Sequence, residues 1–413
     1  MNIYTSFIIS INVFFYLLKI LINFLNIKKT SNNIPEEFKN YYNYEKYSKS
    51  QQYLKETTKF SMITSTIILL VKILFITQGM FNYINNIVIS FNISPIFTGL
   101  TFVLIFFFIF EILGIPFSIY SIFKIEEKFG FNKMGKKTFF LDLIKSWIVN
   151  IIIISIILPV ILFIFINSSM YSAWLYVFVS VIIFEIFIIF ISPTVIMPIF
   201  NKYTPIEDCN LKNEIEIYMK KENFKMSGLF KIDASKRSTK SNAFFTGLGK
   251  FRRIVLYDTI IKNHNIHEIL SILAHEMGHY KLKHIKKQMI ISFIITGTII
   301  FFISLFVNKN LFYYAFLVNG KHIYIGIVLF IMYIYIPFYT ISSIILNYYS
   351  RKCEHEADIY SIKTYNHKDD MINALKKLSV DNLSNLYPHK LKVFFDYSHP
   401  PILNRIKKIK YIK

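Results

Sequence analysis

The reading of the chain turns on residues 274–307, AHEMGHYKLKHIKKQMIISFIITGTIIFFISLFV. It opens with Ala274-His275-Glu276-Met277-Gly278-His279, two histidines four positions apart with a glutamate between them. On an α-helix this spacing sets both imidazoles on one face, one turn apart. There they can bind one zinc ion, with Glu276 as the general base that takes a proton from a zinc-activated water and passes it to a leaving amine. The stretch closes with an apolar run from 288 to 307, long enough to cross a bilayer, which takes roughly 20 helical residues. Between His267 and Lys287 the apolar residues Ile269, Leu270, Ile272, Leu273, Met277 and Leu282 recur at helical spacing without proline, so one continuous helix is predicted. On such a helix His284 lies about 140° round from His279 and about 180° from His275, and is expected on the outer face. A metzincin pattern would need glycine and histidine where Leu282 and Ile285 stand.

Working outward, the membrane character extends along the whole chain. Of 413 residues, 54% are apolar and 17% charged, with a mean hydropathy of +0.44; soluble chains are nearer a quarter charged. Seven segments are long and apolar enough to span, near 5–27, 60–80, 96–123, 146–168, 172–200, 288–307 and 323–347. The first lacks the basic leader and small-residue cleavage site of a signal peptide and reads as an uncleaved anchor. The fifth ends in a stretch interrupted by Pro193 and Pro198, which softens its boundary. The expected architecture is predominantly α-helical: spans one to five in 1–200, a soluble loop carrying the histidine motif in 201–287, spans six and seven in 288–347, and a soluble tail in 348–413. Lys19, Lys72, Glu111 and Glu185 fall within spans, where ionisable groups are costly. Both lysines can reach an interface along their stems, whereas the deeper glutamates hint at a hydrated space between helices.

The net charge of +22 is almost all lysine. Such a balance speaks to non-specific contact rather than to nucleic-acid recognition, and no nucleic-acid partner is expected. Its placement is topological. Seven lysines fall in 28–59 and seventeen basic residues in 201–287, while 81–95 carries no charge. Excess Lys and Arg mark the cytosolic side, so the motif loop and the tail are predicted cytosolic and the N-terminus luminal. Two cysteines, Cys209 and Cys353, make no disulfide framework and read as free thiols.

A catalytic zinc needs a third protein ligand. The candidate is Glu354 in Ser350-Arg351-Lys352-Cys353-Glu354-His355-Glu356-Ala357-Asp358, which follows the last span directly. Glu354 and Asp358 are themselves four apart, so one carboxylate can take the metal while the other holds a ligand imidazole by its free N–H. His355 and Glu356 are expected to point elsewhere.

These motifs resemble the type I CaaX prenyl endopeptidases, integral-membrane zinc proteases. The resemblance runs through Glu126 to Lys133, Pro193 to Pro205, Ser241-Asn242-Ala243-Phe244-Phe245, Arg253 to Thr259, the histidine motif, the Glu354–Asp358 motif and Tyr397-Ser398-His399-Pro400-Pro401. It departs at His355, where the family usually has an aromatic residue, and at Glu356, often glutamine. The resemblance implies a barrel of seven tilted helices enclosing an intramembrane chamber, roofed by a cytosol-side protease domain. It implies one Zn2+ held by His275, His279 and Glu354, with Glu276 as base; Asp358 is expected behind the ligands from its spacing alone. It also places Asn242 on a segment that pairs with substrate backbone, and His399 and Arg405 near the tetrahedral oxyanion and the site wall. The implied reaction is removal of the last three residues after a prenylated cysteine, at the endoplasmic reticulum membrane, with the inner nuclear membrane as a second expected location. The competing readings are a membrane protease that clears misfolded or translocon-jammed proteins without a prenyl requirement, a transporter, and an inactive scaffold.

Overall fold

The computed structural model describes residues 2–246 and 253–412. Among the described residues, seven helices are long and apolar enough to cross a membrane: Ile3–Lys28, Tyr44–Thr77, Pro95–Glu126, Lys136–Asn167, Tyr171–Phe200, His284–Val307 and Ile323–Tyr365. All seven expected spans are present, and their ends differ instructively. The second helix begins at Tyr44 inside what the sequence reads as a loop, because Asn43 accepts the Lys46 N–H at 2.7 Å and caps it. The fifth runs to Phe200 as expected, passing Pro193 through a wide π-helical turn over Ser192–Ile196, which absorbs the missing N–H. The seventh does not end with its apolar run at 347. It continues unbroken to Tyr365, so the Glu354 motif rides on an extension of the span itself.

Only 6% to 33% of each span's most apolar window is buried inside the protein. Helices of a solid bundle would hide more; these line a barrel with lipid on one side and a hollow on the other. In the first span the large residues Phe7, Phe14, Leu17, Leu21 and Phe24 are exposed, as lipid-facing groups are, while Asn12, Asn23 and Asn26 are buried. Asn12 donates to the Tyr333 carbonyl, and Asn23 and Asn26 accept from Lys392 Nζ and the His389 N–H. The first span is thereby tied to the last and to the tail. Lys72 does not reach for an interface: its ammonium lies 3.4 Å from Asn12 Oδ1 and over the Tyr333 ring. Glu111 accepts from Trp147 Nε1 at 2.8 Å, and Glu185 faces Thr296 Oγ1 at 3.5 Å.

At one end the barrel is packed shut. Two short helices, Met80–Ile89 and Asn310–Ala315, contribute Phe81, Ile84, Phe312 and Tyr313 to a buried cluster with Tyr324, Phe330 and Tyr333. Asn82 donates to the Leu317 carbonyl and accepts from the Asn319 N–H, which fixes this plug.

At the other end sits a soluble unit whose sheet the sequence reading did not anticipate. Four short strands, β1 (Tyr203–Pro205), β2 (Gly228–Ile232), β3 (Ala243–Thr246) and β4 (Arg253–Tyr257), lie in the order β1-β2-β4-β3, with β2 and β4 parallel and the other pairs antiparallel. Strands of three to five residues leave little periodicity to detect. Their inner face packs with the helices Asn210–Lys221 and Ile266–Lys281 around Ile215, Met219, Ile254, Leu256, Ile269 and Leu273. Arg237 locks this unit to the membrane part. Its guanidinium donates twice to Asp142 of the fourth span, at 2.8 and 3.0 Å, and to the Phe200 carbonyl at 2.6 Å.

Candidate metal centre

The helix Ile266–Lys281 carries the histidine motif. Asn265 caps it, its side chain accepting the Glu268 N–H while the Glu268 carboxylate accepts the Asn265 N–H, a reciprocal pair that sets its start. At its far end the structure departs from the expected continuous helix. Lys283 takes a left-handed conformation, φ +59°, and a new helix begins at His284. The angular argument that sent His284 outward therefore fails. The side chain is fully buried, its Nδ1 stands 3.2 Å from His279 Nδ1, and its Nε2 lies 2.9 Å from Glu356 Oε2. Glu356 stays clear of His275, His279 and Glu354, as expected, and meets only His284 among the histidines.

The seventh span's extension packs along the motif helix. A Cβ on Gly278 would meet the Ala357 Cα at 2.9 Å, so glycine is what allows the two helices to approach this closely. The approach brings Glu354 to His275 and His279: its Oε2 is 3.4 Å from His275 Nε2 and its Oε1 3.2 Å from His279 Nε2. Among the described residues, His275, His279 and Glu354 form the one group whose ligand atoms all lie within 4.8 Å of each other. Asp358, one turn on, accepts from His275 Nδ1 at 2.9 Å. Arg405, from the helix Ile402–Lys410, binds Asp358 through Nε and Nη2 at 3.0 and 2.6 Å and reaches Glu354 Oε2 at 3.2 Å. His399 stands at the rim with Nε2 3.3 Å from Glu354 Oε1; its Nδ1 contacts Ser398 Oγ at 3.0 Å. Arg351 donates to the Val393 and Tyr397 carbonyls, at 3.1 and 2.6 Å, and so pins the turn that presents His399.

The donor chemistry fits a cation. His275 Nδ1 faces a carboxylate and so carries the proton, which leaves Nε2 with its lone pair. His279 Nε2 lies 3.1 Å from that nitrogen, and the buried Glu354 Oε2 accepts no hydrogen bond, Arg405 Nη1 meeting it only as an ion pair. Lone pairs and a carboxylate converging in a buried space are what a zinc ion satisfies, with a carboxylate behind one histidine in the manner zinc sites favour. The same crowding bears on protonation. Burial opposes the charged form of His275, but its hydrogen bonds to Asp358 and Glu354 outweigh this and push it up to about 9. Burial pushes the Glu276 carboxyl above its usual range, against the pull of His275 and His279.

Glu276 borders a cavity of about 560 Å3 that runs between the motif helix and the tail. Asn242 and Ala243, at the start of β3, line it on one side, and Tyr397, His399 and Arg405 on another. Because β3 ends the sheet, its outer edge pairs with no strand among the described residues and lies beside this groove. The Asn242 side chain is exposed and accepts the Ala243 N–H, while its carbonyl accepts the Tyr257 N–H. His284, which sequence reasoning misplaced, could not have been found from spacing alone, since nothing in Leu282-Lys283 marks a helix break.

Residues 23–202 match the family described as the CAAX prenyl protease N-terminal domain with five membrane helices, and residues 205–413 match peptidase family M48. The chain is similar to the probable CAAX prenyl protease 1 of Schizosaccharomyces pombe, 34% identical over 89% of this chain and 80% of that one. It is also similar to the CAAX prenyl protease 1 of Saccharomyces cerevisiae, 32% identical over 93% and 90% of the two chains. The crystal structure of S. mikatae Ste24p superposes with a TM-score of 0.91 at 30% identity, covering 99% of both chains.

Proposed function

Because the chain belongs to peptidase family M48 and carries the membrane domain of the CAAX prenyl proteases, a multi-pass metalloendopeptidase that processes CaaX proteins, we propose that it uses zinc to remove the last three residues of prenylated CaaX proteins at the endoplasmic reticulum membrane. The observation that carries this reading is the convergence of His275, His279 and Glu354 beside Glu276 at the edge of a groove flanked by an open strand edge.

In the proposal His275 and His279 through Nε2, and Glu354 through its carboxylate, hold the ion. When bound, zinc supplies Lewis acidity, which brings a water's pKa towards 7 and polarises the scissile carbonyl. Glu276 accepts the water proton and returns it to the leaving amine, a task suited to a carboxyl raised by burial. Asp358 keeps His275 in the tautomer that presents Nε2. Arg405 is committed to Asp358 and Glu354, so its part is to position these carboxylates at the site wall. His399 stands free enough at the rim to donate to the developing oxyanion. Asn242 and the β3 edge take the substrate as an added strand, main chain to main chain. A prenyl chain gains about 0.8 kcal/mol for each CH2 it buries in lipid or apolar wall, which delivers such a substrate to the membrane surface. The lysine-rich segments around the soluble unit support a cytosolic site and C-terminus, with a luminal N-terminus.

The test is hydrolysis of a farnesylated CaaX peptide and its unprenylated twin by the purified full-length protein. The expected result is release of the terminal tripeptide from the farnesylated peptide, abolished by a zinc chelator and restored by zinc. Glu276→Gln should lower the rate by about 10²–10⁴-fold while the bound metal is retained. Equal rates on both peptides would overturn the prenyl requirement and favour a clearance protease.

A further inference from the structure

His275 and His279 need the same thing from their surroundings: an acceptor at Nδ1 that keeps the proton there and the Nε2 lone pair on the metal side. For His275 that acceptor is Asp358, 2.9 Å away. His279 has no carboxylate at Nδ1; it has His284 Nδ1 at 3.2 Å, and behind it Glu356 Oε2 at 2.9 Å from His284 Nε2. The hydrogen bonds can be satisfied in one direction only. His279 Nε2 faces Glu354 and its partner imidazole, so its proton sits on Nδ1 and is donated to His284 Nδ1. His284 then carries its own proton on Nε2 and donates it to Glu356. Each donor meets an acceptor.

We propose that His284 and Glu356 act in series as positioning residues for His279, a two-link counterpart of Asp358 behind His275. This rests on the metal-site reading above. His284 does not itself ligate, because the His279 ring stands between it and the Nε2 face where the other donors gather. The local backbone supports the assignment. The left-handed turn at Lys283 breaks the helix between His279 and His284 and lets the second ring fold back against the first. His284 is fully buried, so a polar ring there needs both partners. Glu356 is on the same helix as Glu354 and Asp358, so one helix supplies a ligand and the terminal acceptor behind each histidine. Its side chain is 38% exposed, which lets it be replaced without opening the core.

The experiment measures zinc affinity by competition with a chelator, together with the visible spectrum of the Co2+-substituted full-length protein. His284→Leu should weaken zinc binding by about 10–100-fold and shift the Co2+ bands. His284→Asn, whose side-chain oxygen takes the place of Nδ1, should recover most of the loss. Glu356→Leu should weaken binding in the same direction, and the double variant His284→Leu/Glu356→Leu should be no worse than His284→Leu alone. Zinc affinity within twofold of wild type in folded His284→Leu or in Glu356→Leu, or losses that add in the double variant, would overturn the relay. Should His284→Leu not fold, Glu356→Leu and His284→Asn decide it: weakened binding in the first with recovery in the second upholds the pair, and wild-type affinity in Glu356→Leu defeats it. A wild-type protein that binds no zinc would bring down the metal site as well, whereas zinc-binding wild type with unaffected variants defeats only the pair.

Discussion

Glu354 shows how much one residue can be asked to do. Its two oxygens sit within 3.2 to 3.4 Å of two imidazoles, a third histidine at the rim and a guanidinium. Spacing alone could nominate it, because a carboxylate four residues ahead of another is visible in the chain; that Arg405 would brace both could not be seen, since Arg405 lies some fifty residues on and only packing brings it back. Another buried histidine, away from the candidate metal site, makes a cleaner pH probe. His264 has a fully buried side chain 3.3 Å from Glu268, which is itself held by Lys377. Burial lowers its pKa, with Glu268 pulling the other way. The unfolded chain therefore takes up a proton near its ordinary value of about 6.5 that the folded protein resists. The stability this neutral histidine contributes is fully present above that value and is lost as the pH falls below it. Melting curves of detergent-solubilised protein between about pH 7.5 and about pH 5.5 should show a smaller drop for His264→Gln than for wild type; parallel drops would contradict the assignment.

At the scale of the element, the decisive contact is between the motif helix and the extended seventh span. Gly278 belongs to the motif and faces Ala357 at a distance no side chain would tolerate. Two effects oppose each other in Gly278→Ala. Helix propensity favours alanine by about 1 kcal/mol, while forcing a methyl group against backbone costs about 1–3 kcal/mol. The second wins because the obstacle is the Ala357 backbone, not the end of a flexible side chain. Gly278→Ala should lower the melting temperature by a few degrees and weaken zinc binding, since the ligands come from the two helices being pushed apart; a higher melting temperature with unchanged zinc affinity would show that the helices adapt. Element existence was legible wherever apolar runs were long. Several element ends were not: the cap at Asn43 and the break at Lys283 depend on local backbone conformation and hydrogen bonding that hydropathy does not register.

Across the whole molecule, the metal would join parts that the chain order keeps apart. His275 and His279 precede the sixth span, Glu354 extends from the seventh, and Arg405 comes from the end of the tail. An ion bound only by the folded state stabilises it by mass action, by about 2.7 kcal/mol at a hundredfold excess over its dissociation constant. Stripping the metal should therefore lower the melting transition of the soluble unit, and zinc should restore it in a concentration-dependent way, while the membrane helices keep their helical circular dichroism at that temperature. An identical transition with and without zinc would show that protein contacts alone hold the roof.

By itself, the chain determined that this is a seven-span membrane protein with a histidine-pair metal motif and a carboxylate partner, because hydrophobic length and four-residue spacing are local properties that the backbone geometry of a helix converts directly into structure. Tertiary structure decided the rest. The small edge-exposed sheet, the hollow between the spans, the bracing by Arg405 and the inward turn of His284 onto Glu356 all depend on contacts between residues distant in sequence or on a single backbone angle. No periodicity encodes these; they exist because the folded helices bring the partners within hydrogen-bonding reach.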